Sequence, residues 1–216
     1  GPITIMWLAS LAVLVYQKDL GTSLLFFGLF VMMLYVATER PSWPILGTVL
    51  FLAGAFLGWR YYSHVQTRVS AWLDPFSNWD QNYQVIQGQF GMAWGGLFGT
   101  GWGLGRPNLT PLAKNDFIAA ALGEELGVAG LMALIVLYAV IVMRGLRTAL
   151  TARDPFSKLL AAGLSFVFAL QVFAILGGVT RLLPLTGLTT PFISQGGSSL
   201  VANYAMLALL MVVTHH

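Results

Sequence analysis

Residues 117–143 read FIAAALGEELGVAGLMALIVLYAVIVM, a run whose charges are Glu124 and Glu125 alone. A helix rising about 1.5 Å per residue needs roughly 20 mostly apolar residues to cross the hydrocarbon core of a bilayer. This stretch is long enough. Five further runs of similar character flank it, at about 3–16, 20–37, 45–62, 159–179 and 189–213, the first of them short. The whole chain has 216 residues, 57% hydrophobic and 9% charged, with mean hydropathy +0.76. A soluble domain carries about 25% charged residues, so the polar surface here is too small to cover a water-soluble globule. In lipid the backbone satisfies itself as helices or as a closed barrel. Barrel strands would alternate polar and apolar residues over about ten positions, whereas these runs are unbroken. The expected fold is all-α, a polytopic transmembrane helix bundle of about six spans. Residues 1–62 hold three spans. Residues 63–115 form a long extracytoplasmic loop, with an interfacial or re-entrant helix near Tyr83–Phe98. Residues 116–216 hold three more spans and the C-terminal end.

Eleven Lys and Arg against eight Asp and Glu leave a charge of +3. These cations are scattered and make no basic stripe, so nucleic acid is not an expected partner. Without cysteine, disulfides and thiolate metal sites are excluded. Cations in short loops set orientation. The 144–158 connection holds Arg144, Arg147, Arg153 and Lys158 against Asp154 and is expected in the cytoplasm. Alternation then puts Lys18-Asp19, residues 63–115 and residues 180–188 outside, with the Arg40 turn and the C-terminus inside. Gly1-Pro2 meet an apolar run with no basic signal-peptide start, as expected of a C-terminal portion of a longer membrane protein.

Charge within a span costs about 2.5–3.5 kcal/mol on insertion scales and marks functional suspects. On one ideal helix Glu124 would lie about 80° around from Asp116 and roughly 12 Å deeper, facing one cavity with it, while Glu125 would point away. Asp116 reads equally as a helix cap or as an acid that does chemistry. Glu124 and Glu125 read equally as functional groups or as structural partners of another span. For Asp19, ahead of Leu20-Gly21-Thr22-Ser23, the cap is the better reading. Arg181, between two outer span ends, either holds an anionic headgroup or phosphate or snorkels to the interface. His64 has no partner histidine, so it is a weak metal candidate. Gly196-Gly197-Ser198-Ser199 reads first as permitting close helix approach and second as offering hydroxyls to a polar ligand.

Four blocks together resemble the SEDS family, which includes the RodA and FtsW wall polymerases. QKDLGTSLL resembles the family's QPDLGT signature. WLDPFSNWDQNYQVIQGQFGMAWGGLFGTGWGLG resembles its DP dipeptide, Tyr-Gln pair and GGLFG-type loop. KNDFIAAALGEELGVAG is similar to its TDFIFAVLGEELGLIG signature, and LLPLTGLTTPFISQGGSSLVANYAML to its LPVTGLPLPFISYGGSS terminus. The blocks fall in family order between about residues 17 and 213, with Lys18, Asn115 and Gln195 replacing the usual Pro, Thr and Tyr. The VTRLLPLTGLTTPF wording is nearer to RodA-like members of actinobacteria than to FtsW. Such proteins have ten spans, so these six resemble the last six.

The resemblance implies a bacterial cytoplasmic-membrane enzyme that polymerises lipid II outside the membrane into a growing glycan strand, with a class B penicillin-binding protein as partner. It makes Asp116 the acid regarded as essential, Glu124 and Glu125 the paired glutamates, and Asp19 the acid of QPDLGT. A sugar hydroxyl would attack the anomeric carbon of a lipid-pyrophosphate-linked sugar. The pyrophosphate already leaves well, so one base, Asp116, suffices. Lys114, Arg68, Arg106 and Arg181, or a divalent cation (Mg or Mn) held partly by Asp116, would offset phosphate charge. Glu124, Glu125, Asp19, Ser198 and Ser199 complete the substrate-binding candidates. Membrane lipid surrounds the bundle, and the chain alone is expected to be inactive. A flippase for the same lipid-linked precursor, or a scaffold for the penicillin-binding protein, stands as the alternative.

Overall fold

The computed structural model describes residues 19–111 and 113–215, and the expected span at 3–16 lies outside them. All regular structure among the described residues is helical. Helix α1 spans Leu20–Thr38 and α2 spans Ser42–Tyr61. Asp19 caps α1, its carboxylate accepting the Thr22 N–H over 3.0 Å, so the capping expectation holds there. The chain breaks at extended Tyr62 into α3, Ser63–Leu73, then takes a 3-10 turn at Pro75–Asn78 into α4, Trp79–Gly95. A glycine-rich stretch leads to α5, Ile118–Thr151. Helix α6, Pro155–Val179, opens on an Asp154 cap that accepts the Ser157 N–H over 2.9 Å. Helix α7, Gly197–His215, closes the described chain.

Five of these helices, α1, α2, α5, α6 and α7, are long and apolar enough to cross a membrane. Their bounds correct three expectations. The 144–158 connection is helical up to Thr151 and again from Pro155, leaving residues 152–154 as the turn. The 63–115 stretch contains two helices, α3 and α4. The last span starts at Gly197 instead of 189, because residues 189–196 run as irregular backbone through the interior.

Several polar groups of that irregular segment find partners in the interior, while Thr190 Oγ1 is buried without one. Gln171 donates to the Thr189 carbonyl over 3.0 Å, Tyr138 to the Pro191 carbonyl over 2.7 Å, and the Thr190 N–H donates to Ser194 Oγ over 2.7 Å. Thr190, Pro191 and Ser194 are buried.

Helix α6 is the central post. It packs along α5 on one side and α1 on the other, while α4 lies against the first half of α5 and α2 against α1. Small residues let these helices approach closely. An added Cβ on Gly47 of α2 would stand 2.6 Å from Val31 of α1, and one on Gly163 of α6 would stand 2.9 Å from Met33 Sδ. Phe117, Ala119, Ala120 and Val179 form a core where α5 and α6 meet at one end. Outward side chains such as Ile45, Leu52 and Leu137 stay more than 60% exposed. In water such a surface would be costly; against acyl chains it is the natural boundary.

The two ends of the bundle separate cleanly. Lys158 pairs with Glu39 over 3.8 Å, bringing the α1–α2 turn beside the α5–α6 turn. At the other end Arg68 donates to the Leu185 and Thr186 carbonyls, and Trp72 to the Arg181 carbonyl. The end holding α3, α4 and the 180–196 stretch is therefore built from segments far apart in sequence.

Candidate functional site

Asp116 lies in a turn two residues ahead of α5. Phe117, with φ −102° and ψ 16°, is the residue that precedes the helix, and it provides no side-chain cap. The capping reading of Asp116 is thereby corrected: one non-helical residue stands between its side chain and the free N–H groups of α5. The turn is stitched to the far end of the chain. Gln195 N–H donates to the Lys114 carbonyl over 2.8 Å, and Ser194 Oγ donates to the Asn115 carbonyl over 2.7 Å.

Asp116 is half-buried, with the Arg68 guanidinium of α3 close enough to act on its charge. Burial pushes its carboxyl above the ordinary carboxylate range, because desolvation penalises the ionised form, and Arg68 pulls it part of the way back. Arg68 is held in place by two carbonyls, Leu185 and Thr186, each 3.0 Å away. Three segments thus converge on Asp116: α3, the turn before α5, and the 185–195 stretch.

Arg181 sits nearby with left-handed backbone, φ 61°. Its guanidinium donates to the Trp72 carbonyl over 2.8 Å and to that of Leu73 over 3.3 Å, at the C-terminal end of α3 where carbonyls lack helical partners. Arg68 and Arg181 both line a cavity of about 150 Å³ between α3, α4 and the chain after α6. Gln84 also lines it, and its side-chain nitrogen is buried without a hydrogen-bond partner. Gln84 and Trp72 were not among the expected site residues; the amide-rich run of α4 was the signal for Gln84.

The glutamates occupy different surroundings. Helix α5 is interrupted at Gly127, whose φ 68° and ψ −168° belong to a region essentially confined to glycine. In an unbroken helix the N–H groups of Val128 and Ala129 would bond to the carbonyls of Glu124 and Glu125. Here they donate instead to Gly96 and Leu97, over 2.9 and 3.0 Å. The freed carbonyls accept from Thr100 and Gly101, each over 3.0 Å. The glycine-rich loop of residues 96–101 is inserted into the ladder of α5. Glu124 is buried beneath this loop, with Oε1 accepting the Arg106 N–H over 2.6 Å. Glu125 is half-buried against Gly105. The ideal-helix relation between Asp116 and Glu124 does not hold, since Asp116 precedes the helix.

The remaining candidates lie apart. Asp19 is an exposed cap, and Lys114 and Arg106 are exposed, each bound through its backbone. Ser198 is exposed on the first turn of α7, while Ser199 Oγ sits 2.8 Å from Thr189 Oγ1 and serves packing. Among the described residues no three His, Cys, Asp or Glu side chains gather to hold a metal. Asp116 offers a single carboxylate with a cation beside it, a donor set that does not by itself fit a divalent ion.

A bundle of apolar helices, with a desolvated acid and a fixed arginine at the mouth of a broken span, defines a multi-pass membrane protein with a polar site at one end. The class narrows further. Residues 1–216 match the profile of the FtsW, RodA and SpoVE family, described as cell cycle protein, and the chain belongs to that family. It is 52% identical over 216 residues to the peptidoglycan glycosyltransferase RodA of Mycobacterium tuberculosis (strain ATCC 25618 / H37Rv), covering 100% of this chain and 46% of that one. The probable peptidoglycan glycosyltransferase FtsW of Geobacter metallireducens is 35% identical over 217 residues, with 99% and 58% covered. The chain spans about half the length of the curated relatives it matches. A solved structure described as "Structural coordination of polymerization and crosslinking by a peptidoglycan synthase complex" superposes with a TM-score of 0.81 at 26% identity, covering 98% of this chain and 60% of that one.

Proposed function

We propose that the protein carrying this chain is a peptidoglycan glycosyltransferase of the RodA type, polymerising lipid II on the extracytoplasmic side of the membrane with a class B penicillin-binding protein as partner. The observation that carries this reading is Asp116: a carboxylate outside any helix, desolvated enough to raise its basicity and within the field of Arg68, which two carbonyls hold in place. A base whose pKa lies closer to working pH takes a proton more effectively while remaining ionised.

In the reaction a sugar hydroxyl oxygen bonds to the anomeric carbon of a second lipid-linked unit. The bond from that carbon to the pyrophosphate oxygen breaks, the pyrophosphate leaves with the electron pair, and the hydroxyl proton passes to Asp116. Arg68 meets the developing phosphate charge, and Arg181, across the cavity they share, supports the same charge at longer range.

The test is glycan-chain formation from purified lipid II by the full-length protein with its partner in detergent. Asp116→Ala is expected to lower the rate by about 10²–10⁴, the usual contribution of a positioned base, with the fold retained. Full activity in that variant would remove Asp116 from the reaction. A flippase makes no glycan in detergent, and a scaffold keeps its complex and tolerates the change.

A further inference from the structure

Glu124 presents a chemical puzzle separate from Asp116. It is 7% exposed within a span, where a carboxylate is costly and needs a donor. The donor is the Arg106 backbone N–H, 2.6 Å from Oε1, while Arg106 itself is exposed. Gly91 of α4 and Gly105 of the loop close in from the sides. A Cβ on Gly91 would stand 2.9 Å from Oε2, and one on Gly105 would stand 3.3 Å from Cδ. The carboxylate fills a slot made by backbone and leaves little room for a ligand.

The bond also stands at a particular place in the chain. Immediately before it, Thr100 and Gly101 enter the ladder of α5 by taking the Glu124 and Glu125 carbonyls, and Thr100 Oγ1 adds a second bond to the Glu124 carbonyl over 3.2 Å. Immediately after it, the chain passes through the 3-10 turn Pro107–Leu109 and buried Thr110 and Ala113 to reach Asp116. Glu124 therefore grips the loop with both its backbone and its side chain, and the side chain holds the point where the segment bearing Asp116 departs.

We propose that Glu124 is a positioning residue. Through the Arg106 N–H it latches the glycine loop into the broken span and sets the course of the segment that leads on to Asp116. Substrate does not touch it. The proposal rests on reading Asp116 as the base. What the latch requires is an acceptor oxygen at one position, and a negative charge alone does not meet that need.

Two variants separate position from charge. Glu124→Gln keeps an oxygen at the same reach and loses the charge; Glu124→Asp keeps the charge and withdraws the oxygen by one methylene. The full-length protein in lipid nanodiscs is compared by hydrogen–deuterium exchange and by lipid II polymerisation. Glu124→Asp is expected to speed exchange across residues 98–106 by about tenfold, as loss of one buried bond implies, and to lower kcat with KM little changed. Glu124→Gln is expected to keep both within about threefold of wild type. Unchanged exchange in Glu124→Asp sinks the latch, whatever the activity. The reverse order, with Gln impaired and Asp intact, overturns it in favour of a role for the charge. Failure of the polymerase reading shows separately, as activity retained in Asp116→Ala, and the exchange data still judge the latch.

Discussion

Asp116 holds a charge that its surroundings partly resist. Desolvation raises its pKa and Arg68 lowers it, with desolvation the larger effect. A general base works ionised, so the rate is expected to fall as pH drops through the Asp116 pKa. Removing the Arg68 cation leaves desolvation unopposed and raises that pKa further. Arg68→Gln should therefore shift the acid limb of the kcat/KM profile to higher pH, and Arg68→Lys, which keeps the charge, should shift it less. A profile that does not move would separate the two groups. Asp19 and Asp116 also differ in how legible they were. Asp19 sits directly against its helix, so the local pattern of acid then apolar run was enough to read a cap. Asp116 carries the same pattern, yet Phe117 adopts a non-helical conformation and moves the helix start beyond its reach. No local rule predicts that residue, because its ring is buried in the core shared with Val179 of α6.

The break in α5 is a device of backbone hydrogen bonding. A spanning helix cannot leave N–H and C=O groups bare in hydrocarbon, and here the 96–101 loop supplies the four replacement partners. Gly127→Ala places an L-residue at φ 68°, with its Cβ 2.6 Å from the Leu97 carbonyl carbon and oxygen. The backbone conformation alone costs about 1–3 kcal/mol, and contact with main chain adds to it. Thermal unfolding in detergent should show a clear loss of stability. Gly54→Ala, on open helix surface with nothing within 4 Å, should be neutral or slightly stabilising. Equal effects of the two would refute this account of the break. The sequence hinted at the loop through its glycines and at the acids through their cost, but it did not reveal that one is threaded into the other. The bonded residues of 96–101 and 124–129 lie 24 to 32 positions apart, and a periodicity argument treats each run separately.

The bundle has two distinct ends, one gathering Glu39 with Lys158, the other gathering α3, α4 and residues 180–196. The cation count leads us to expect the first in the cytoplasm. These 216 residues contain no cysteine, so a single substitution adds the one thiol within them, and the unsubstituted protein gives the background labelling. In intact cells an impermeant thiol reagent should label Ser77→Cys, in the 3-10 turn before α4, and should leave Ala152→Cys, in the α5–α6 turn, unlabelled until the membrane is opened. The opposite pattern would put Asp116 inside the cell and end the proposed chemistry. The sequence by itself determined the membrane class and the five spanning helices among the described residues, because partition into lipid depends on apolar length, a property each run carries alone. Only the tertiary structure decided the break at Gly127, the irregular course of 189–196 and the placing of Asp116 within the field of Arg68. Each of these depends on polar groups finding partners from distant segments, and in a medium without water those partners have to come from the fold.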